Sequence, residues 1–516
     1  MLQIFYTSDE LKKLSGYTGG KSEVKMAMIK QTKSLCPECL KVLEASIYEE
    51  DGKILIAKVC SEHGEFKDVY YGDAGLYHKF MNYFRDGSGI TNPHTQSDGN
   101  CPSDCGLCEN HKSSTVLANL DLTNACNFRC PVCFANADAS GYVYHPSLEQ
   151  ISGMMDTLRN EQPPCSVIQF SGGEPTLRKD FFEIVKMAKQ KGFKQIQVAT
   201  NGKKLAEDPG YARRMGDAGV DTVYLQFDGL TPDIYLKLRG LDALPLKMQA
   251  IENVRKSLPY PNIVLVPTLA RGINDHQIGD MVRFAAENID VIRGVNFQPV
   301  SFTGRISNSD LLAQRLTIAD MLMMLGDQTD GTVAPEDFLP VPAFTPLLEF
   351  LRLSRNAVNL PRMNTHPVCG AWSYLIRDGK RLVPLTRIIN LAELFALIDS
   401  PVRMNKAEIG LKITARLPKL IKPGSVLFFN DVLKLLKDIV FQGTHKAAAR
   451  FHGDRVLFIG SMHFMDPYNF DCERLQHCCI HYATADGRVI PFCSYNTLYR
   501  NEVEAKFARK NRQITK

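Results

Sequence analysis

Between residues 116 and 305 the chain switches repeatedly between two hydrophobic periods. Short apolar, β-branched runs at 116–122, 166–171, 195–200, 222–228, 262–268 and 294–300 read as strands. Between them, LEQISGMMDTLRN, KDFFEIVKMAKQK, AEDPGYARRMGDAG, LPLKMQAIENVRKS and HQIGDMVRFAAEN place apolar residues at helical spacing. Strands this apolar predict an α/β fold, a parallel sheet with helices on its faces. Such sheets carry their ligands at the carboxyl ends of the strands. Four other segments flank this core. Residues 1–75 hold a strand–turn–strand pattern, EASIYEEDGKILIAKV, and residues 76–115 form a polar linker. Residues 306–366 begin as a helix, LLAQRLTIADMLMMLGDQ, and turn rich in Pro and Phe; residues 367–516 form a last unit. Met and Leu at helical spacing are more often core than cavity wall, so a pocket for a long alkyl group in 306–366 is the less ordinary reading.

The totals exclude several classes. A chain of 516 residues has length for two to four domains, and 44% hydrophobic with 23% charged residues is ordinary for a globular protein. A net charge of +5 is too mild to argue for nucleic acid. The start, MLQIFYTSDELKK, turns polar too early for a signal peptide, and no run approaches the roughly 18 uninterrupted apolar residues of a membrane span. The expected location is the cytoplasm. Lys412, Arg416, Lys419 and Lys422, interleaved with Leu and Ile in LKITARLPKLIKPG at 411–424, would suit peripheral contact with anionic lipid.

The fifteen cysteines cluster at metal-ligand spacing, which points to bound metals rather than disulfides. Cys36, Cys39, Cys60 and His63 form C-x2-C-x20-C-x2-H, the paired knuckles of a zinc ribbon or rubredoxin. The histidine favours zinc over a single iron. Cys126, Cys130 and Cys133 form C-x3-C-x2-C at the end of the first core strand. Three such thiols can hold three irons of a [4Fe–4S] cube and leave the fourth iron for a small molecule. Cys101, Cys105 and Cys108 repeat the spacing but follow a loop, DGSGITNPHTQSDGN, and read as an auxiliary cluster site. With Cys165 set aside as a buried thiol, Cys369, Cys472, Cys478, Cys479 and Cys493 join that triad to make eight ligands, enough for two fully ligated clusters. Adjacent Cys478 and Cys479 point different ways, which speaks against one cube using both.

After the second core strand comes FSGGEPT. Here the chain resembles the radical S-adenosylmethionine (SAM) enzymes, which pair the cysteine triad with a Gly-Gly-Glu-Pro turn. That resemblance implies a partial (β/α)6 barrel, preceded by the small N-terminal rubredoxin- or zinc-ribbon-like domain and followed by a C-terminal iron–sulfur domain. It makes Cys126, Cys130 and Cys133 the catalytic cluster ligands. Gly172, Gly173 and Glu174 would meet the amino group of SAM, and Asn201, beside Thr200 at the third strand end, its ribose or carboxylate. Asp228, neighbour of Gln226, and Gln298, with Arg305, would face cofactor or substrate. Many members place an aromatic before the last cysteine, where this chain has Val132, with Phe134 following beside the adenine. The implied cofactors are SAM, three [4Fe–4S] clusters and one mononuclear zinc or iron, with a ferredoxin or flavodoxin as electron donor.

The order CPEC…CSEHGEF, CPSDCGLCENHK, LTNACNFRCPVCFANA, FSGGEPTLR and CCIHY…PFCSYN is similar to that of archaeal tetraether lipid synthases. This implies C–C coupling of the terminal methyl carbons of isoprenoid chains in diether lipids, with a long-chain lipid as substrate and 306–366 as its apolar pocket. The alternative within the same group is a radical SAM methyltransferase acting on the pterin ring of a folate-like coenzyme, with Asp228 and Gln298 as pterin contacts. An iron–sulfur electron carrier without catalysis is a third reading, opposed by the open triad and the Gly-Gly-Glu-Pro turn.

Overall fold

The computed structural model describes residues 27–87, 89–257, 262–306, 315–354, 360–379, 381–398, 419–420 and 455–508. All but two residues of the basic 411–424 stretch lie outside them. Strands β1 (Ala27–Leu35), β2 (Val42–Glu50), β3 (Lys53–Cys60) and β4 (Gly64–Tyr71) form an antiparallel meander in chain order. Ile47, Ile54 and Ile56 are fully buried on one face, as the period-2 alternation requires. The meander docks on the C-terminal segment through Lys58, which is buried with its Nζ 2.9 Å from both Ser34 Oγ and the Tyr468 carbonyl. Burial lowers its pKa to about 8.

The core sheet contains six parallel strands: β5 (Leu117–Thr123), β6 (Val167–Gly172), β7 (Gln195–Thr200), β8 (Thr222–Gln226), β9 (Ile263–Val266) and β10 (Ile292–Pro299). They lie in chain order, each hydrogen-bonded to the next. Helices α1 (Leu148–Arg159), α2 (Phe181–Gln190), α3 (Tyr211–Ala218), α4 (Pro232–Arg239), α5 (Leu244–Ser257) and α6 (Ile278–Glu287) connect them. The first starts on a capping box, where Ser147 and Gln150 exchange side-chain and backbone bonds. Each helix turns an apolar stripe inward; Ile151, Met155 and Leu158 of α1 are fully buried.

The C-terminal segment, expected to form a domain of its own, contributes strands to both edges of this sheet. β12 (Val456–Met462) runs parallel to β10 and carries β11 (Gly370–Asp378) antiparallel outside it. At the other edge β13 (Ile480–Ala483) runs parallel to β5, followed by antiparallel β14 (Val489–Pro491). Unpaired backbone at the edges of a parallel sheet is thereby satisfied. One segment thus walls the central site from two sides. The Met/Leu-rich helix Ile318–Gln328 packs on α6, with Met321, Leu322 and Leu325 fully buried as core. No described residue of 306–366 lines the central cavity.

Candidate active site

Two turns at neighbouring strand ends interlock. Gly173 N–H donates to the Thr123 carbonyl at 2.7 Å, and Glu174 N–H to the Ala125 carbonyl at 2.9 Å. A Cβ at Gly172 or Gly173 would stand 2.2 Å from the Thr123 or the Ala125 carbonyl oxygen respectively, and Gly172 also has φ of +120°. Only glycine allows this approach. The cysteine loop that follows Thr123 is therefore seated directly on the Gly-Gly-Glu-Pro turn.

Cys126, Cys130 and Cys133 line a cavity of about 250 Å³ above these turns. Burial pushes the Cys126 thiol up to about 12 and raises Cys130 as well, so that only a bound cation would hold them as thiolates here. Gly172, Gly173, Thr200, Asn201, Gln226, Gln298 and Arg305 lie on the same wall, and Phe134 is part of it while 41% exposed. Arg305 holds the loop by donating from Nε to the Cys130 carbonyl at 2.8 Å, and Arg305–Ile306 pairs antiparallel with Val132–Cys133.

Two expected contacts are placed differently. The carboxylate of Glu174 does not reach the cavity: Oε1 accepts from Thr176 Oγ1 at 2.6 Å and Thr200 Oγ1 at 2.9 Å, and Oε2 from Asn201 N–H at 2.8 Å. It ties the second strand end to the third. Asp228 is wholly buried in a bidentate pair with Arg239, 2.6 Å to Nε and 2.7 Å to Nη2. A carboxylate so engaged has little left for a ligand. Arg239, not Asp228, lines the cavity, and its Nη1 donates to the Val132 carbonyl at 3.2 Å.

Lys247 of α5 links these parts. It is fully buried, donates from Nζ to Gln226 Oε1 at 2.7 Å and to the Asn201 carbonyl, and lies 5.3 Å from the centre of the Phe128 ring. Burial lowers its pKa to about 7, against the attraction of Asp228. Neither Arg239 nor Lys247 was singled out from the sequence. The signal was present for Lys247, which falls on the buried face of α5 with Ala250, Ile251 and Val254. Two polar residues facing the cavity from inside apolar strands, Asn119 and Gln169, were also passed over.

The remaining thiols fall into three groups. The ligand atoms of Cys36, Cys39, Cys60 and His63 all lie within 4.8 Å of one another, the compactness a tetrahedral ion needs. The Cys472 thiol lies 3.7 Å from the Cys101 carbonyl oxygen, and Cys105 is near enough to Cys101 and Cys108 to feel their charge. Cys478 is likewise within electrostatic reach of Cys493, Cys479 and Cys369, and Cys493 of Cys369. Burial raises Cys105, Cys478 and Cys493 alike. Cys493 also lines the central cavity. Cys165 stands apart, its thiol 3.3 Å from the Val167 carbonyl. The ribbon site carries a direct expectation: Cys60→Ser weakens zinc binding on the order of 100-fold or more, since even outer partners of a zinc site are worth about 10–100-fold. Metal analysis after dialysis against a chelator would show about one zinc lost per chain; retention of that zinc would refute the ligand set.

Comparison with known proteins fits this geometry. Residues 120–285 match the model of the Radical SAM superfamily, and residues 28–72 that of the HMPTM N-terminal zinc ribbon domain. The 7,8-dihydro-6-hydroxymethylpterin dimethyltransferase of Methanocaldococcus jannaschii is 48% identical over 492 residues, 93% of this chain and 96% of that protein. A probable GTP 3′,8-cyclase of Thermococcus kodakarensis is 30% identical over 35% of this chain and 56% of its own length. The crystal structure of Streptococcus suis SuiB bound to precursor peptide SuiA has a TM-score of 0.35 and 15% identity, covering 43% of this chain and 46% of that one.

These findings overturn the tetraether synthase resemblance and the long-chain lipid substrate. A relative aligned end to end is a pterin dimethyltransferase, and the segment expected to form an alkyl pocket is core away from the cavity. Peripheral membrane contact has no support, and no helix among the described residues is long and apolar enough to cross a membrane. The chain belongs to the radical SAM superfamily of enzymes, which bind SAM at a [4Fe–4S] cluster, and to the family of that pterin dimethyltransferase.

Proposed function

We propose that this enzyme methylates carbon atoms of a reduced 6-hydroxymethylpterin. The observation that carries the reading is the 48% identity spread over 93% of the chain and 96% of the relative. Cys126, Cys130 and Cys133 would hold the cluster in the arrangement of a partial barrel mouth. SAM bound there would supply a 5′-deoxyadenosyl radical able to take hydrogen from carbon. Gly172 and Gly173 seat the cysteine loop and line the cavity where the methionine end would lie, Thr200 and Asn201 offer polar groups beside it, and the backbone around Phe134 would meet the adenine. Arg305 and Arg239 keep the cysteine loop in register by binding its carbonyl oxygens.

The rest of the cavity suits a flat, hydrogen-bonding ring. Val300, Met462, Phe464, Ile480 and Phe492 give apolar walls that exclude water, while Tyr224, Gln226 and Gln298 offer polar groups. The thiols of Cys101, Cys105, Cys108 and Cys472 would serve one auxiliary [4Fe–4S] cluster, and those of Cys369 and Cys493, with one of the adjacent Cys478 and Cys479, a second. Cys493 sets the second group against the substrate cavity, a placement in keeping with work beyond SAM cleavage. The test is an anaerobic incubation of the reduced, iron-loaded enzyme with SAM and 7,8-dihydro-6-hydroxymethylpterin deuterated at its carbon-bound positions. The expected result is a pterin carrying one and then two added methyl groups. Unlabelled 5′-deoxyadenosine and an unchanged pterin would remove pterin from consideration as substrate.

A further inference from the structure

Two successive cross-strand pairs of polar residues join β5 and β6 beside the cavity, which Ser171, Asn119 and Gln169 line. The pair nearer the cysteine loop, Asp121 and Ser171, is internally answered: Ser171 Oγ donates to Asp121 Oδ1 at 2.8 Å, and Arg500 takes Oδ2 at 2.5 Å. The next pair, Asn119 and Gln169, is only half answered. Gln169 Nε2 donates to Asn119 Oδ1 at 2.9 Å. Asn119 Nδ2 and Gln169 Oε1 are both buried and meet no partner among the described residues, and Asn119 is 1% exposed. A buried amide group without a partner costs stability, so a native interior rarely keeps two together. Both residues line the cavity. Tyr482, the register partner of Asn119 on β13, stands beside them as an aromatic wall stacked on Tyr495.

The chemistry of what would complete this pair is narrow. Two amides joined by one hydrogen bond leave one unmet NH₂ group and one unmet carbonyl oxygen. Turning both amides over exchanges the two positions and leaves the same inventory. An alkyl group answers neither, and a lone hydroxyl or water must donate to the one and accept from the other through a single oxygen. A ring that carries an N–H next to a carbonyl, or an exocyclic amine next to a ring nitrogen, answers both at once. We infer that Asn119 and Gln169 form the subsite that reads the aminopyrimidinone edge of the substrate ring. This rests on the pterin reading above and adds to it the residues that select the ring.

The test is an anaerobic titration of 7,8-dihydro-6-hydroxymethylpterin into the iron-loaded wild type and the double variant Asn119→Leu with Gln169→Met, with the unfolding midpoint of each protein measured alongside. Together the two substitutions keep about the same volume and remove both amides, so that neither is left buried without the other. The expected result is at least a tenfold loss of pterin affinity with a midpoint that is unchanged or higher, because an apolar isostere no longer buries an unpaired amide. Affinity within twofold of wild type in the double variant would overturn the subsite while leaving the substrate in place. A fall in midpoint alongside the fall in affinity would make the pair a structural rung and also overturn it. If the wild type itself binds no pterin, the proposed substrate falls and this subsite with it.

Discussion

Cys130→Ala is expected to reduce 5′-deoxyadenosine formation to background and to lower iron content by about four atoms per chain. Two thiols cannot hold a cube that already relies on three, and among the described residues no other cysteine lines the cavity beside Cys126 and Cys133 except Cys493, which belongs to another group. Cys165→Ala is the matched control. Its thiol is buried in the hydrophobic core, donates to the Val167 carbonyl and stands in no group of thiols among the described residues. That variant should keep its iron and its SAM cleavage and lose only about 1–2 kcal/mol of stability through a small cavity. Anaerobic iron analysis and chromatographic measurement of deoxyadenosine decide the matter. Persistent cleavage in Cys130→Ala would refute the triad, and equal iron loss in both variants would show that cysteine removal damages the fold generally.

How much of this was readable from the chain depends on the range of the forces involved. The six core strands showed themselves because parallel strands buried on both faces leave unbroken apolar runs, and β5 through β10 fall on the expected segments. The ribbon site was equally plain, since a tetrahedral ion needs its ligands on two tight turns and the turns carry C-x2-C and C-x2-H. Other features depend on partners distant in sequence. Cys472 meets Cys101 only because the sheet brings β13 beside β5, and no spacing encodes that. Asp228 looked like a ligand contact because a carboxylate at a strand end is one often enough; the arginine that consumes it lies on the following helix. The order of cysteine motifs speaks for the cofactors, which they bind. The substrate is chosen by side chains such as Asn119 and Gln169 on separate strands, which is why motif order suggested the wrong one.

Asp228→Asn is expected to destabilise the protein by about 3–5 kcal/mol, the usual cost of leaving one partner of a buried ion pair uncompensated. The carboxylate accepts from Nε and Nη2 along one edge of the Arg239 guanidinium, from Thr268 N–H at 3.0 Å and from the Gln226 amide. An asparagine must turn an N–H₂ group toward at least one of these donors. Burial works against the charge of Arg239 and Asp228 holds it, so the variant strands a cation in the interior. The damage passes to the site, because the same guanidinium binds the Val132 carbonyl inside the cysteine loop. Denaturant unfolding should show a lower midpoint at unchanged slope. The double variant Asp228→Leu with Arg239→Met supplies the decisive comparison. Two apolar side chains of similar volume remove both charges, so the double variant should be more stable than Asp228→Asn alone even though it has lost more hydrogen bonds. It should still bind iron poorly, since the Val132 carbonyl has lost its anchor in either case. Additive losses in the double variant would mean the two side chains act independently, and normal iron loading in all three proteins would confine the pair to stability with no part in placing the cluster loop.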